Sequence, residues 1–250
     1  MPVRPRIVSV FSFLLLLAVG SPARTGVALA AFDFVDRANL SSDEAQVTGF
    51  DTPVNDAVIS ADGRFIAFDS FGPSLVPNDT NGIADVFVRD LALGTTVRVS
   101  VHTDGTQALG VEPSISATGR FVAFSSFSQK LIGTDTDANG SCDVGCDTNG
   151  LSDVFVRDRD TDDDGIFDEP GAVSTERVSL TSTGGQIESM TPSTSPAISG
   201  DGRWIVFTTQ AALVPEDTNA LVDVYAADRI THTIARISVA TDGTQSNADN

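Results

Sequence analysis

The chain has 250 residues, 34 of them acidic against 15 basic, for a formal charge of −19. Its hydrophobic fraction of 41% can build a core, and 21 Gly with 11 Pro exclude both a collagen-like repeat and wholesale disorder. So acidic a surface repels phosphate backbones and anionic bilayers, so nucleic-acid binding is not expected.

In chain order, the first segment reads as a secretory leader. Arg4 and Arg6 precede the apolar run Ile7 to Val19, and small residues follow it. Thirteen residues give ~20 Å of helix against a hydrocarbon core of ~30 Å, too short to span. Ala28-Leu29-Ala30 offers a cleavage site before Ala31, with Ser21-Pro22-Ala23 as an alternative. The leader has no Cys for lipid attachment, and no later segment is long and apolar enough to anchor the chain. The expectation is a signal peptide over 1–30 and a secreted product, extracellular or periplasmic.

The rest of the chain is repetitive, which dictates the fold. Val58-Ile59-Ser60-Ala61-Asp62-Gly63-Arg64-Phe65-Ile66-Ala67-Phe68 returns as Ile115 to Phe124 and again as Ile198 to Phe207. Each predicts a hairpin whose Asp-Gly or Thr-Gly supplies the tight turn. A third strand follows as Asp85-Val86-Phe87-Val88-Arg89-Asp90, Asp153 to Asp158 and Asp223 to Asp228. A fourth is expected at Arg98-Val99-Ser100-Val101, Arg177 to Leu180 and Arg236 to Val239, each leading to a turn ending at Gln107, Gln186 or Gln245. Four-stranded antiparallel units in series are the signature of a β-propeller. The expected fold class is therefore all-β, one propeller domain over 31–250 with blades at about 51–109, 110–190 and 191–250.

These residues resemble the TolB-like β-propellers, whose blades carry a P-x-I-S-x-D-G-R-x-[IV]-[AV]-F hairpin and a D-[IV]-[FY]-[VL]-x-D strand. The resemblance covers roughly Phe34 to the C-terminus and implies a propeller of exported bacterial type. It implies no single activity, since such domains serve as protein-binding modules and as gates on hydrolases. Arg37 to Gln46 aligns with Arg98 to Gln107, so the mature chain begins with a lone fourth strand, of the kind that closes a propeller ring. Three blades fall below the usual minimum of about four. The expectation is a piece of a longer protein, or association through the open end.

Acidic residues concentrate between Asp135 and Glu169, where 12 face two Arg. This is an insertion spanning 133–171. Asp135, Asp137, Asn139, Ser141 and Asp143 occupy positions 1, 3, 5, 7 and 9 of a loop with Gly140 at position 6. Asp160, Asp162, Asp164, Ile166 and Asp168 repeat that spacing around Gly165. These are the positions from which an EF-hand-type loop wraps Ca²⁺, with position 7 giving a backbone carbonyl. Position 12 departs, being Cys146 or Gly171 where an EF-hand has Glu, so the loops look more like the short calcium repeats of extracellular proteins such as thrombospondins. Weaker versions recur as Asp79, Asn81 and Asp85, and as Asp147, Asn149 and Asp153; the alternative there is Asx turns before a strand. Cys142 and Cys146, the only cysteines, read as a small local disulfide in an oxidising compartment, and zinc is not expected.

No G-x-S-x-G elbow, H-E-x-x-H or phosphate loop is present, and His102 and His232 have no matching His in the other repeats. Phe68, Phe124 and Phe207 are expected between blades, and Arg64, Arg120 and Arg203 in ion pairs with a neighbouring blade's Asp. The functional expectation is a calcium-stabilised, exported propeller that binds a protein or glycan and is not an enzyme. The alternative is the propeller portion of a larger hydrolase or lyase.

Overall fold

The computed structural model describes residues 37–46, 54–134, 144–188 and 190–245; the leader, the 135–143 loop and the last five residues lie outside them. Among the described residues, twelve strands form three four-stranded antiparallel sheets. The first sheet runs β1 (Val54–Ile59), β2 (Phe65–Ser70), β3 (Asp85–Asp90) and β4 (Thr95–Arg98) in sequential order. The second comprises β5 (Val111–Ile115), β6 (Phe121–Ser126), β7 (Asp153–Asp158) and β8 (Ser174–Arg177). The third comprises β9 (Ser193–Ile198), β10 (Trp204–Thr209), β11 (Asp223–Asp228) and β12 (Thr233–Arg236). This is the blade order of an all-β propeller, and the three blades do not close into a ring.

The central strands are buried on both faces, which explains why their sequences are apolar runs rather than alternations. Register is the same in each blade: Phe68 faces Phe87, Phe124 faces Phe155 and Phe207 faces Tyr225, with the rings stacked 5.8 to 6.3 Å apart. Consecutive blades then share one apolar layer. Phe65, Ala67, Val86, Val88 and Val99 of the first pack on Val122, Phe124, Leu131 and Phe155 of the second. Ala123, Val154, Val156 and Val178 of the second pack on Ile205, Phe207, Leu213 and Tyr225 of the third. Phe124 and Phe207 thus lie between blades, while Phe68 belongs to a separate cluster with Leu75 and Phe87.

Each seam is locked at its hairpin end by an aromatic ring over a glycine. A Cβ on Gly119 would meet the Phe65 ring at 2.2 Å, and one on Gly202 would meet Phe121 at 2.0 Å. Arg159 and Arg229 complete the lock. Their guanidinium groups lie 5.2 and 4.4 Å from the Phe65 and Phe121 rings, and each Nη1 donates to the carbonyl of the glycine beneath, at 2.8 and 2.9 Å. Across the inner strands, the Ser195 N–H of the third blade donates to Glu112 of the second at 2.7 Å.

Two local expectations are corrected. The fourth strand lies earlier than the Arg-Val-Ser-Val run: β4, β8 and β12 end at its Arg. Beyond it the Val99, Val178 and Ile237 N–H still donate to the Val86, Val154 and Val224 carbonyls, while Ser100, Ser179 and Ser238 accept from the N–H of those valines, so a side-chain bond takes one half of the ladder pair. The hairpin arginines pair within their own blade, Arg64 with Asp90, Arg120 with Asp158 and Arg203 with Asp228, because register sets that Asp directly across from the residue after the arginine. Arg37 to Gln46 forms a turn closed by a Leu40–Gln46 bridge, the counterpart of the Val101–Gln107 and Val239–Gln245 bridges.

Candidate metal loop and buried charge clusters

The second acidic loop begins where β7 ends. Asp158 accepts from Arg120 and from the Asp160 N–H at 3.1 Å, which turns the chain out of the sheet. Asp160 is 3% exposed, and its carboxylate accepts from the N–H of Asp164 at 3.1 Å and of Gly165 at 3.0 Å. The Asp164 carboxylate in turn accepts from the Ile166 N–H at 2.8 Å. One carboxylate oxygen from each of Asp160, Asp162 and Asp164 lies within 4.8 Å of the others. Two oxygens on opposite sides of one Ca²⁺ stand about 5 Å apart, so the three fit around a single ion. Desolvation, then the charges of Asp164 and Asp160, push the Asp162 carboxyl above the usual carboxylate range.

The rest of the loop is anchored to the seam between the first two blades. Asp168 forms a forked ion pair with Arg159, whose Nη2 stands 2.6 Å away. Phe167 packs 5.3 Å from Phe65, and the Arg159 guanidinium stacks on both rings. Sequence spacing alone gave no sign of this anchor. Asp168, expected at position 9, is thus held by Arg159, and Ile166 is exposed at the loop surface. The first loop's Asp135, Asp137, Asn139, Ser141 and Asp143, with Cys142, lie outside the described residues. Their flanks meet in a Thr134–Val144 bridge, and no described cysteine, Cys146 included, is free.

The weaker candidates sit at the opposite end of the blades, around an arginine. Asp79 and Asp85 flank Arg98 at 3.2 and 3.3 Å, and Asp147 and Asp153 flank Arg177 at 3.4 Å each. In the third blade Asp217 and Asp223 flank Arg236. Asn81 and Asn149 make Asx turns to Ile83 and Leu151 and donate to Asp85 and Asp153. A cation at these pairs would meet the guanidinium. Arg98, Arg177 and Arg236 recur at one repeat position, and that recurrence is the signal from which the clusters were readable.

Two carboxylates per arginine leave each cluster short of positive charge. Burial, first of all, pushes Asp85 and Asp147 up to about 6, with the Asp153 charge adding to the shift at Asp147. A carboxyl whose folded value is raised contributes stability that is full below its unfolded value, 3.8, and is lost as pH rises through 6. Asp90, against its own burial, is held low by Arg64, and Asp228 is held low first by Arg203; their stabilisation is lost only as pH falls below about 4. The protein is therefore expected to resist urea better at pH 5 than at pH 7.5, by on the order of 1 kcal/mol for each raised group. A midpoint that climbs from pH 5 to 7.5 would contradict this.

No family model matches the chain, and no curated protein does. Among solved structures it is similar to TolB from Acinetobacter baumannii, at 16% identity and a TM-score of 0.40, over 77% of this chain and 34% of that one. It is similar also to the β-propeller domain of the Trilobed protease from Pyrococcus furiosus, at 10% identity and a TM-score of 0.40, over 75% of this chain and 42% of that one. A puromycin-hydrolyzing peptidase of Mycobacterium tuberculosis aligns at 14% identity and a TM-score of 0.43, over 76% of this chain and 24% of that one. The chain spans less than half the length of each of these three. Among the described residues, no helix is long and apolar enough to cross a membrane.

Proposed function

We propose that this chain is an exported propeller module, stabilised by calcium, whose loops bind a protein or glycan partner without chemistry of their own. The convergence of Asp160, Asp162 and Asp164 carries the calcium reading. Three carboxylates this close repel one another, and a divalent ion relieves that repulsion while supplying the hard cation that oxygen ligands suit. Because Phe167 and Asp168 grip Phe65 and Arg159, an ion that orders the loop also firms the seam between the first two blades. The Asp135 to Asp143 loop is proposed as a second site on its matching spacing, braced by a Cys142–Cys146 disulfide. Export is supported by the leader's charge and apolar run.

Thermal unfolding with and without calcium tests the reading. With a Kd of about 0.1 mM, as in extracellular calcium modules, 5 mM Ca²⁺ is expected to add about 2 kcal/mol and raise Tm by on the order of 5 °C. EGTA should reverse the rise, and Asp162→Ala with Asp137→Ala should abolish it. Identical melting curves in calcium and in EGTA would refute the proposal.

A further inference from the structure

Two buried arginines at one repeat position differ in the partners they find. Arg89 in β3 and Arg157 in β7 are 4% and 5% exposed, and each lies under the turn that precedes its own blade. Over Arg89 the turn is Leu40 to Gln46; over Arg157 it is Val101 to Gln107. The two arrangements share most of their bonds, although Arg89 Nη1 donates also to the Gly94 carbonyl at 2.9 Å. Thr96 donates to the Leu40 carbonyl at 2.5 Å, and Thr175 donates to the Val101 carbonyl at 2.7 Å. Arg89 Nη1 donates to Thr96 and to the Ser41 carbonyl, and Arg157 Nη1 donates to Thr175 and, at 3.5 Å, to the His102 carbonyl.

The anion is what differs. Arg89 Nη2 donates to the Glu44 carboxylate at 2.5 Å. The residue aligned with Glu44 is Gly105, so the second turn sends no side chain toward its arginine. Both positions have positive φ, 59° at Glu44 and 90° at Gly105, and open space surrounds the point where a Gly105 side chain would begin. Among the described residues no carboxylate lies within ion-pair distance of Arg157, whereas Arg89 has Glu44 at 2.5 Å; the Nε of both arginines is buried without a partner, so the difference lies at Nη2. Burial pulls its guanidinium below the ordinary arginine value, as expected for an uncompensated charge. The nearby carboxylates of Asp158 and Asp168 are committed to Arg120 and Arg159. An unpaired buried cation is costly in any protein and conspicuous in one so rich in carboxylates.

We propose that Arg157 is the receptor for a carboxylate supplied from outside the chain, seated where Glu44 sits on Arg89. The ligand class is a small carboxylic acid or the acidic side chain of a partner peptide, bound through Nη2 and admitted past Gly105. The third blade has Ala227 at this position and no such site.

Thermal unfolding at fixed EGTA and ionic strength tests this, with sodium acetate against sodium chloride and with a blocked hexaglutamate peptide as probes. At 0.2 M acetate and a Kd of about 50 mM, Tm is expected to rise by about 3 °C over chloride. The peptide acting at far lower concentration would identify a partner's acidic segment as the natural ligand, and a response to acetate alone would identify a small acid. Gly105→Glu should raise Tm unaided and abolish both responses, as its side chain takes the site. Arg157→Met should lose both responses whatever its own Tm. Acetate indistinguishable from chloride with no effect of the peptide, or responses that persist in Gly105→Glu or Arg157→Met, would overturn the proposal.

Discussion

Gly119→Ala is expected to destabilise the protein by roughly 3 to 4 kcal/mol, whereas Gly63→Ala, the same change in the same hairpin one blade earlier, should cost only about 1 kcal/mol. Both glycines have positive φ, +78° and +73°, so both variants carry the backbone penalty. They differ in what stands above the turn. A methyl at Gly119 would lie 2.2 Å from the Phe65 ring, which is itself buried at 1% exposure and pinned by Arg159 and Phe167; at Gly63 nothing lies within 4 Å. The new carbon must push the ring out of the seam, and overpacking of this kind costs about 1 to 3 kcal/mol beyond the backbone term. Urea denaturation of the two variants side by side measures the difference. Equal losses would mean that the ring-on-glycine lock does not join the blades.

Arg177→Met should be as damaging for an electrostatic reason, about 3 to 5 kcal/mol at neutral pH. The arginine is the positive charge between Asp147 and Asp153, whose side chains are 0% and 1% exposed. Removing it strands two carboxylates in the core, and the loss should shrink at pH 5, where Asp147, already pushed up to about 6, takes a proton. Asp147→Asn is expected to be tolerated or mildly stabilising at pH 7.5, since it leaves Arg177 with one carboxylate. A loss that does not depend on pH in Arg177→Met would mean that lost packing, rather than stranded charge, dominates.

The blades were legible because their signals are local. A glycine-bearing turn between two apolar runs predicts a hairpin wherever it occurs, and three copies in register predict the blade order that β1 to β12 adopt. The spacing of Asp160, Asp162 and Asp164 likewise sufficed to pick out side chains that converge. What eluded the sequence is chemistry between segments distant in the chain. Arg64 chooses Asp90 by strand register, and Phe167 reaches across to Phe65. Such choices depend on strand register within a blade and on which side chains the seam between blades sets face to face. The difference between Glu44 and Gly105 was visible in the aligned turns, but its meaning depends on the arginine of the following blade.

Isothermal titration of the metal-free protein with Ca²⁺ tests most directly whether the clustered carboxylates hold an ion. Saturable binding that loses one site when Asp162 and Asp164 are both changed to Asn is the expected result. Heats no greater than those of dilution, or binding undiminished in the double variant, would contradict it.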